Sequence, residues 1–376
     1  MTSTVVTRMM RLLADDFAPR TGVAGTHLSD ADVKELGNEL DALRREVLAD
    51  LGAADARYIR RVIAAQRGLE VTGRALLFGA SRRWAWWTGT ACLTVAKALE
   101  NMEIGHNVMH GQWDWMRDPK IHSTTWEWDN ACPADQWKHA HNVLHHTYTN
   151  VLGKDRDIGY TILRVNAAQP WHPAYLAQPF YNLLFAGLFE FGNAVYDLGA
   201  QLEAGEKSED EIKQGLADVG RKFARQALKD YVAFPLLAGR NARYVLTANL
   251  AANILRNVWV HTVIFCGHFP GDVDVFPEDV LDGETRGQWY VRQLLGSADI
   301  TGGPLLHLLT GNLSHQIEHH LFPDVPSNRL ARIAPRVREI CARYGLPYHS
   351  GSFPRQVASH WGKVVRHAFP TGRNRG

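Results

Sequence analysis

Histidines are gathered into three groups along this 376-residue chain, and each group contains two histidines four residues apart. On a helix, residues at this spacing lie on one face, about 5–6 Å apart, which suits two imidazoles that bind one metal ion. The groups comprise His106 and His110, then His141, His145 and His146, and finally His315, His319 and His320. The spacing therefore indicates helices that bind metal.

Adjacent histidines favour the same interpretation. A lone histidine on an apolar helix is usually a hydrogen-bonded core residue, whereas two adjacent imidazoles in an apolar setting are costly to desolvate and repel each other when protonated. The eight histidines of the three groups also exceed the four ligands of an ordinary zinc site. We therefore expect a dinuclear centre. Imidazole binds iron, zinc, copper and nickel alike, so the ligand type does not choose the metal.

The composition excludes several classes of protein. Lys and Arg number 41 against 39 Asp and Glu, so the chain offers no broad basic surface, and we expect no nucleic-acid partner. The four cysteines form no C-x-x-C pair, which argues against a zinc ribbon or a disulfide framework. The histidines are thus the main candidates for chemistry.

The first helix is predicted to begin at Ser29. Ser29 and Asp32 resemble a capping pair, and apolar residues then follow at helical spacing from Val33 to Leu51. This pattern is typical of an amphipathic packing helix.

Beyond residue 60 the chain contains several apolar stretches. Residues 84–96 carry no charge, residues 165–189 contain no Asp, Glu, Lys or Arg, and residues 244–271 contain only Arg256 among these types. With a weaker stretch before residue 81, they give about four candidate membrane spans, each shorter or more polar than the usual span of about 20 apolar residues. Hydropathy alone leaves a soluble helical protein as an alternative.

The histidine groups resemble the three histidine boxes of a known family. H-x-x-x-H at 106–110, H-x-x-x-H-H at 141–146 and Q-x-x-H-H at 316–320 are similar to the boxes of the membrane fatty-acyl desaturases. The segments ENMEIGHNVMHGQWDWM, KHAHNVLHHTYTN and GNLSHQIEHHLFPDVPSNRL extend the match, which is closest to the actinobacterial acyl-CoA delta-9 (stearoyl-CoA type) desaturases over about residues 30–360. One box is a weak signal, but three in this order are specific.

The resemblance implies an all-α, polytopic membrane protein. About four transmembrane helices would carry a cytosolic helical cap that holds the dinuclear metal site. The domains would be an N-terminal cytosolic segment over 1–59, the desaturase domain over 60–360, and a basic tail over 361–376 that includes Lys363. The protein would lie in the plasma membrane as a multi-pass protein, with its active site facing the cytoplasm.

The resemblance also implies a set of iron ligands. Carried over residue by residue, the ligands are His106, His110, His141, His145, His146, His268, His319 and His320. Many family members have histidine where this chain has Gln316, so water or His315 is an alternative ligand at that corner, and Gln316 would then contact a ligand without binding the metal. Some members have asparagine where this chain has Ile264, and His261 is the alternative there.

Other residues are expected around the metal. Glu103, Asp155, Asp157 and Glu318 would orient the ring N–H groups of the ligands, although the two aspartates could equally be ordinary loop acids. Trp137, Trp113 and Trp115 are candidates for the wall of an apolar substrate tunnel, and simple packing is the alternative for each of them.

The function implied is O2-dependent desaturation. The protein would introduce a cis double bond, at the delta-9 position by resemblance, into a long-chain acyl-CoA or acyl lipid, with two Fe ions as cofactor and O2 as co-substrate. The sequence contains no flavin, haem or nicotinamide motif, so a separate ferredoxin or NAD(P)H-dependent oxidoreductase would supply electrons. A related di-iron hydroxylase and a non-catalytic membrane metal binder are the alternatives.

Overall fold

The computed structural model describes residues 27–271 and 273–370, which are mostly helical and confirm the predicted all-α class. The α-helices are α1 (Asp30–Ala49), α2 (Ala53–Leu77), α3 (Arg83–Leu99), α4 (Asn107–Met109), α5 (Ala134–Lys138), α6 (His146–Tyr148), α7 (Gln178–Gly187), α8 (Phe189–Glu203), α9 (Glu209–Ala227), α10 (Phe234–Leu237), α11 (Ala242–His268), α12 (Arg286–Leu295), α13 (Pro304–Leu309), α14 (Gln316–Leu321), α15 (Ser327–Arg343) and α16 (Phe353–His367). Segments of π-helix cover Glu100–His106, His139–His145 and Leu228–Ala233. Two short strands, β1 (Asp299–Thr301) and β2 (Ser350–Ser352), pair in parallel.

Helix α1 begins where the sequence predicts. The Ser29 hydroxyl accepts a hydrogen bond from the Asp32 N–H at 3.2 Å, and the Ser29 N–H donates to the Asp32 carboxylate at 2.9 Å. The capping box satisfies two N–H groups that the helix leaves unpaired. Helix α1 packs on α12, and glycine permits the close approach, because a β-carbon at Gly287 would lie 2.2 Å from the Val33 carbonyl oxygen.

The long helices α2, α3 and α11 pack side by side beneath the histidines. Helices α2 and α3 approach closely because a β-carbon at Gly73 would lie only 3.0 Å from the Gly89 carbonyl oxygen. The buried Asp230 carboxylate ties them further, since Arg74 of α2 lies 2.7 Å from it and Lys97 of α3 lies 2.9 Å from it. This packing fixes the end of α3, where the chain continues into the first histidine group.

Among residues 27–271 and 273–370, no helix is both long enough and apolar enough to cross a membrane. The predicted transmembrane helices are therefore not confirmed and stay a prediction.

Both predicted domain boundaries fall inside helices. Helix α2 runs through residue 60, and α16 runs through residue 360. Lys363, predicted to lie in the basic tail, is instead buried, and its ammonium donates to the Pro270 carbonyl oxygen at 3.1 Å. Residues 1–26 and 371–376 lie outside the described residues, so the predictions for those parts of the two terminal segments stay untested.

Candidate metal centre

Segments of π-helix contain His106 of the first histidine group and His141 and His145 of the second. Glu100–His106 continues α3 and ends at the first histidine, and His139–His145 continues α5. The π-helix has i→i+5 hydrogen bonds and is frequent at functional sites. Here it keeps residues four apart on one side, since the rings of His141 and His145 stack with their centroids 5.0 Å apart.

Four histidines from three parts of the chain form the first cluster. One ring nitrogen of each lies within 4.8 Å of those of the others, and the members are His106, His110, His141 and His319. The Nε2 atoms of His106 and His319 are 3.2 Å apart. Two nitrogens that each lie about 2.1 Å from one ion, at angles of about 90–109°, are about 3.0–3.4 Å apart, so the observed separation fits two ligands of one metal.

A second cluster lies next to the first. It consists of His145, His268 at the end of α11, and His320, again with ring nitrogens within 4.8 Å of one another. The Nε2 atoms of His268 and His320 are 3.2 Å apart. His146 lies between the clusters, because its ring centroid is 4.7 Å from that of His110 and 4.3 Å from that of His320. The structure thus brings together all eight histidines predicted as ligands.

The residues present fit a bound metal pair. Buried ring nitrogens normally have a hydrogen-bond partner, yet several here have none, namely Nε2 of His110, His141 and His145 and both nitrogens of His146. An ion within each cluster would give these nitrogens the partner they lack. A ligand set rich in imidazole suits iron and equally zinc, copper or nickel.

Two aspartates contact predicted ligands at Nδ1, the ring nitrogen that faces away from the clusters. The Asp155 carboxylate lies 3.0 Å from Nδ1 of His145, and Asp157 lies 3.5 Å from Nδ1 of His141. Tyr196 in turn donates its hydroxyl proton to Asp157. Each aspartate therefore lies where a carboxylate can orient the ring of a predicted ligand whose Nε2 points into a cluster.

The clusters set the protonation of their histidines. Burial lowers the pKa of His145, but the charges of Asp155 and Asp157 outweigh burial and raise that pKa to about 9. Burial, with a contribution from the charge of His145, lowers the pKa of His319 to about 3. In the absence of metal at neutral pH, His145 is therefore protonated, whereas His319 is already a neutral potential ligand.

Gln316 lies beside the second cluster, as predicted. Its side-chain amide is 2.8 Å from Nε2 of His268. Glycine at position 267 makes room for it, since a β-carbon there would lie 2.9 Å from Cγ of Gln316. Gln316 is thus in contact with a predicted ligand.

His315 and His261 lie outside both clusters. Nδ1 of His315 is 3.8 Å from Asp299 and 3.9 Å from Glu318. His261 precedes His268 by seven residues, about 10 Å along the axis of α11, and its ring Nε2 lies 3.0 Å from the Asn182 side-chain oxygen. The structure therefore places neither predicted alternative where it could join the metal pair.

Glu103 also lies away from the imidazoles. Its carboxylate accepts hydrogen bonds from the Tyr58 hydroxyl at 2.8 Å, the Ser327 hydroxyl at 2.6 Å and the Asn312 amide at 2.9 Å. These partners belong to α2, to α15 and to the loop before α14. Glu103 thus joins three parts of the chain behind the metal centre and, contrary to expectation, orients no ligand ring.

A narrow cavity extends from the first cluster toward α11. Trp137, predicted as a wall residue, stacks on His141 with ring centroids 4.4 Å apart. The lining residues are Asn101, Met102, His106, Trp128, Asn130, Trp137, His141, Tyr160, Phe189, Asn193, Arg256, Asn257, Val260 and Ile264. Most of them come from segments far from the histidine boxes in sequence, so the position of the cavity could not be predicted from the spacing of residues within the boxes.

The other two predicted wall residues lie elsewhere. Trp113 is fully buried against Tyr58, with ring centroids 6.3 Å apart, and Trp115 is 37% exposed. The chain turns at Gly111, where φ is +77°, a value that glycine adopts readily. This turn carries both tryptophans away from the cavity although they follow His110 closely in sequence.

Comparisons with known proteins agree with this geometry. The family model "Fatty acid desaturase" matches residues 82–352. The chain is 52% identical over 349 residues to the NADPH-dependent stearoyl-CoA 9-desaturase of Mycobacterium tuberculosis, covering 92% of this chain and 82% of that protein. It is 26% identical to the sn-1 linoleoyl-lipid 6-desaturase of Synechocystis, covering 73% and 78% of the two chains. The protein therefore belongs to the fatty acid desaturase family.

Proposed function

We propose that this protein is an O2-dependent acyl-CoA desaturase that introduces a cis double bond at carbon 9 of a long acyl chain. The observation that carries the proposal is the convergence of two adjacent histidine clusters, the first of which borders a narrow cavity with both apolar and polar lining residues. The substrate class is supported by the 52% identical relative, which is named a stearoyl-CoA 9-desaturase.

The reaction takes two hydrogen atoms from adjacent methylenes and, with two electrons and two protons from a donor, reduces one O2 to two water molecules. Two bound iron ions would supply the activation of O2. The clustered histidines would hold them as neutral ligands, and Asp155 would accept the Nδ1 proton of His145 in a hydrogen bond. Trp137 would cover one side of the first cluster and exclude water from it.

Part of the cavity wall is apolar and suits an acyl chain, while four asparagines and Arg256 make the rest of the wall polar. Met102, Val260 and Ile264 line it, and the charge of Arg256 is neutralised by Glu190 at 2.6 Å. The shape of the cavity would therefore position one pair of adjacent acyl carbons beside the two metal ions.

A surface groove adjoins this cavity. Trp128 and Asn130 line both, and the groove also carries Arg225 together with Lys222 and Lys229, which pair with Glu127 and Asp129. We propose that the phosphate-bearing headgroup of the substrate binds in this groove, where the Arg225 guanidinium can bind phosphate.

We further propose that the protein works at the plasma membrane with its site facing the cytoplasm. Support comes from α11, where Leu246, Leu250, Ile254 and Val258 recur every four residues and are all exposed. A continuous exposed apolar stripe of this kind marks a contact with lipid or protein. Electrons would come from a separate ferredoxin or NAD(P)H-dependent oxidoreductase.

The test is a lipid analysis of a host that lacks its own delta-9 desaturase. Cells expressing the wild type, His319→Ala or the surface control His172→Ala would be compared by gas chromatography and mass spectrometry after derivatisation that locates double bonds. We expect cis-9 unsaturated chains with the wild type and the control, and none with His319→Ala. Hydroxylated chains would instead identify a hydroxylase, and unchanged lipids with bound metal would identify a non-catalytic metal binder.

A second experiment tests whether the acyl chain of the substrate is attached to coenzyme A or to a phospholipid. Purified protein supplied with a reductase system would receive stearoyl-CoA or a stearoyl phospholipid. Product from stearoyl-CoA alone supports the proposal, whereas product from the phospholipid alone overturns the acyl-CoA assignment.

A further inference from the structure

A third group of potential metal ligands lies outside both histidine clusters. It consists of Asp299 in β1, His315 just before α14, and Glu318 within α14, whose ligand atoms lie within 4.8 Å of one another. Nδ1 of His315 is 3.8 Å from Oδ2 of Asp299 and 3.9 Å from Oε2 of Glu318. None of these residues is needed by the two clusters described above.

The two carboxylates form a buried pair that lacks a strong cationic partner. Asp299 is 4% exposed and Glu318 is fully buried. The Ile317 backbone N–H donates to Asp299 at 3.1 Å, and the Tyr348 hydroxyl lies 2.5 Å from Asp299 and 2.8 Å from Glu318, where its single proton can serve only one of the two carboxylates. In the described part of the chain, His315 is the only residue that forms an ion pair with either carboxylate.

Unpaired atoms point into the space between these residues. Oε2 of Glu318 accepts no hydrogen bond, and neither ring nitrogen of His315 has a hydrogen-bond partner. The neighbouring His307 does not fill the gap, because its ring stacks on that of His315 and its Nδ1 is engaged by the Ser314 hydroxyl at 2.7 Å. Buried polar atoms left without partners are costly, so their convergence points to a missing cation.

We propose that Asp299, His315 and Glu318 bind a third, structural divalent metal ion of the first transition row, separate from the catalytic pair. One imidazole and two carboxylates are ligands that zinc accepts, and a small inward movement would bring them from about 3.8 Å apart to the roughly 3.4 Å of a tetrahedral site. The ion would balance both negative charges. It would also tie β1 to α14, the helix that carries His319 and His320.

The test uses zinc as the probe on purified, iron-loaded protein. The wild type, Asp299→Asn, His315→Gln and the surface control Asp118→Asn would be equilibrated with Zn2+, freed of weakly bound metal, and measured for zinc and iron by mass spectrometry. We expect about one zinc per chain in the wild type and the control, and at least a tenfold weaker zinc affinity in both site variants, with iron unchanged.

Several outcomes would overturn this site. A wild type that retains no zinc beside its iron would do so, and the two carboxylates would then share a proton with Tyr348. Zinc that survives both site substitutions but is lost in His106→Ala would place the zinc in the histidine clusters. Two variants are used so that misfolding of one does not decide the result, and the iron content reports separately on the catalytic centre.

Discussion

Nδ1 of His145 lies 3.0 Å from Oδ2 of Asp155, while Nε2 of the same ring has no hydrogen-bond partner. The carboxylate therefore fixes the ring so that its free nitrogen faces His268 and His320. Asp155 itself is held by the backbone N–H groups of Asn150 at 2.8 Å and Asp157 at 2.9 Å. The backbone thus orients Asp155, and Asp155 orients the ring of His145, a predicted ligand.

Replacing Asp155 by Asn should weaken metal binding without removing a ligand. An amide cannot offer His145 two negatively charged oxygens, and loss of such a partner typically lowers metal affinity about 10–100-fold. Iron affinity measured by chelator competition should fall by that factor. The control is Asp118→Asn, in an exposed ion pair with Arg60. Unchanged affinity in Asp155→Asn would show that the aspartate does not support the ligand.

Metal binding should release a proton at neutral pH. Without metal, the pKa of His145 is raised to about 9, so its ring is protonated at pH 7.5, whereas the pKa of His319, at about 3, leaves that ring neutral. A bound imidazole must be deprotonated. Anaerobic calorimetry of Fe2+ binding in buffers of different ionisation enthalpy should therefore show about one proton released per chain. The release should disappear, and affinity stop rising, above about pH 9; absence of release at pH 7.5 would contradict the assignment.

Filling the cavity should shorten the accepted acyl chain. Val260 and Ile264 line it on α11, so Val260→Phe should favour shorter acyl-CoA substrates over stearoyl-CoA. Leu250→Phe, on the exposed face of α11, is the matched control. Chain-length profiles of the products provide the measurement. An identical profile for Val260→Phe would place the acyl chain elsewhere.

A buried ion pair beside the third box should govern acid stability. Arg329 donates two hydrogen bonds to Asp55, each at 2.6 Å. Burial raises the pKa of Asp55, but these bonds and those from Asn328 and Gly52 outweigh burial and lower it to about 2. The stabilisation is therefore complete above the usual aspartate pKa of about 4 and is lost as pH falls toward 2.

Arg329→Gln should consequently destabilise the protein by about 2 kcal/mol at pH 7, because the pKa of Asp55 returns from about 2 toward its usual value when the two hydrogen bonds from Arg329 are lost. The difference from the wild type should shrink between pH 4 and pH 2. Thermal unfolding at several pH values measures both effects. Arg60→Gln, from an exposed pair, should cost less than about 1 kcal/mol; a similar loss in the two variants would refute the argument.

Much of the site could be predicted because its residues repeat at helical spacing. The pairs His106 with His110 and His141 with His145 lie together as expected, and Trp137 stacks on the histidine four residues after it. Sequence spacing is sufficient to predict that two side chains lie together where the chain is helical from one residue to the other.

The predicted positions of side chains were wrong where the chain turns, where the residues are far apart along one helix, or where the partner is distant in sequence. The turn at Gly111 separates Trp113 from His110, and seven residues of α11 separate His261 from the metal centre. Glu103 lies in a π-helical segment and reaches Tyr58, a partner far away in sequence. The two short strands join residues about 50 positions apart, and three-residue segments carry too little periodicity to be recognised.

The most direct test of the account is the amount of iron bound per folded chain, measured on anaerobically reconstituted protein. We expect about two irons in the wild type and about one in each of His319→Ala and His320→Ala, because the two residues belong to different clusters. A wild type that binds one iron or none, or a content of two that neither substitution lowers, would contradict a dinuclear centre built from these histidines.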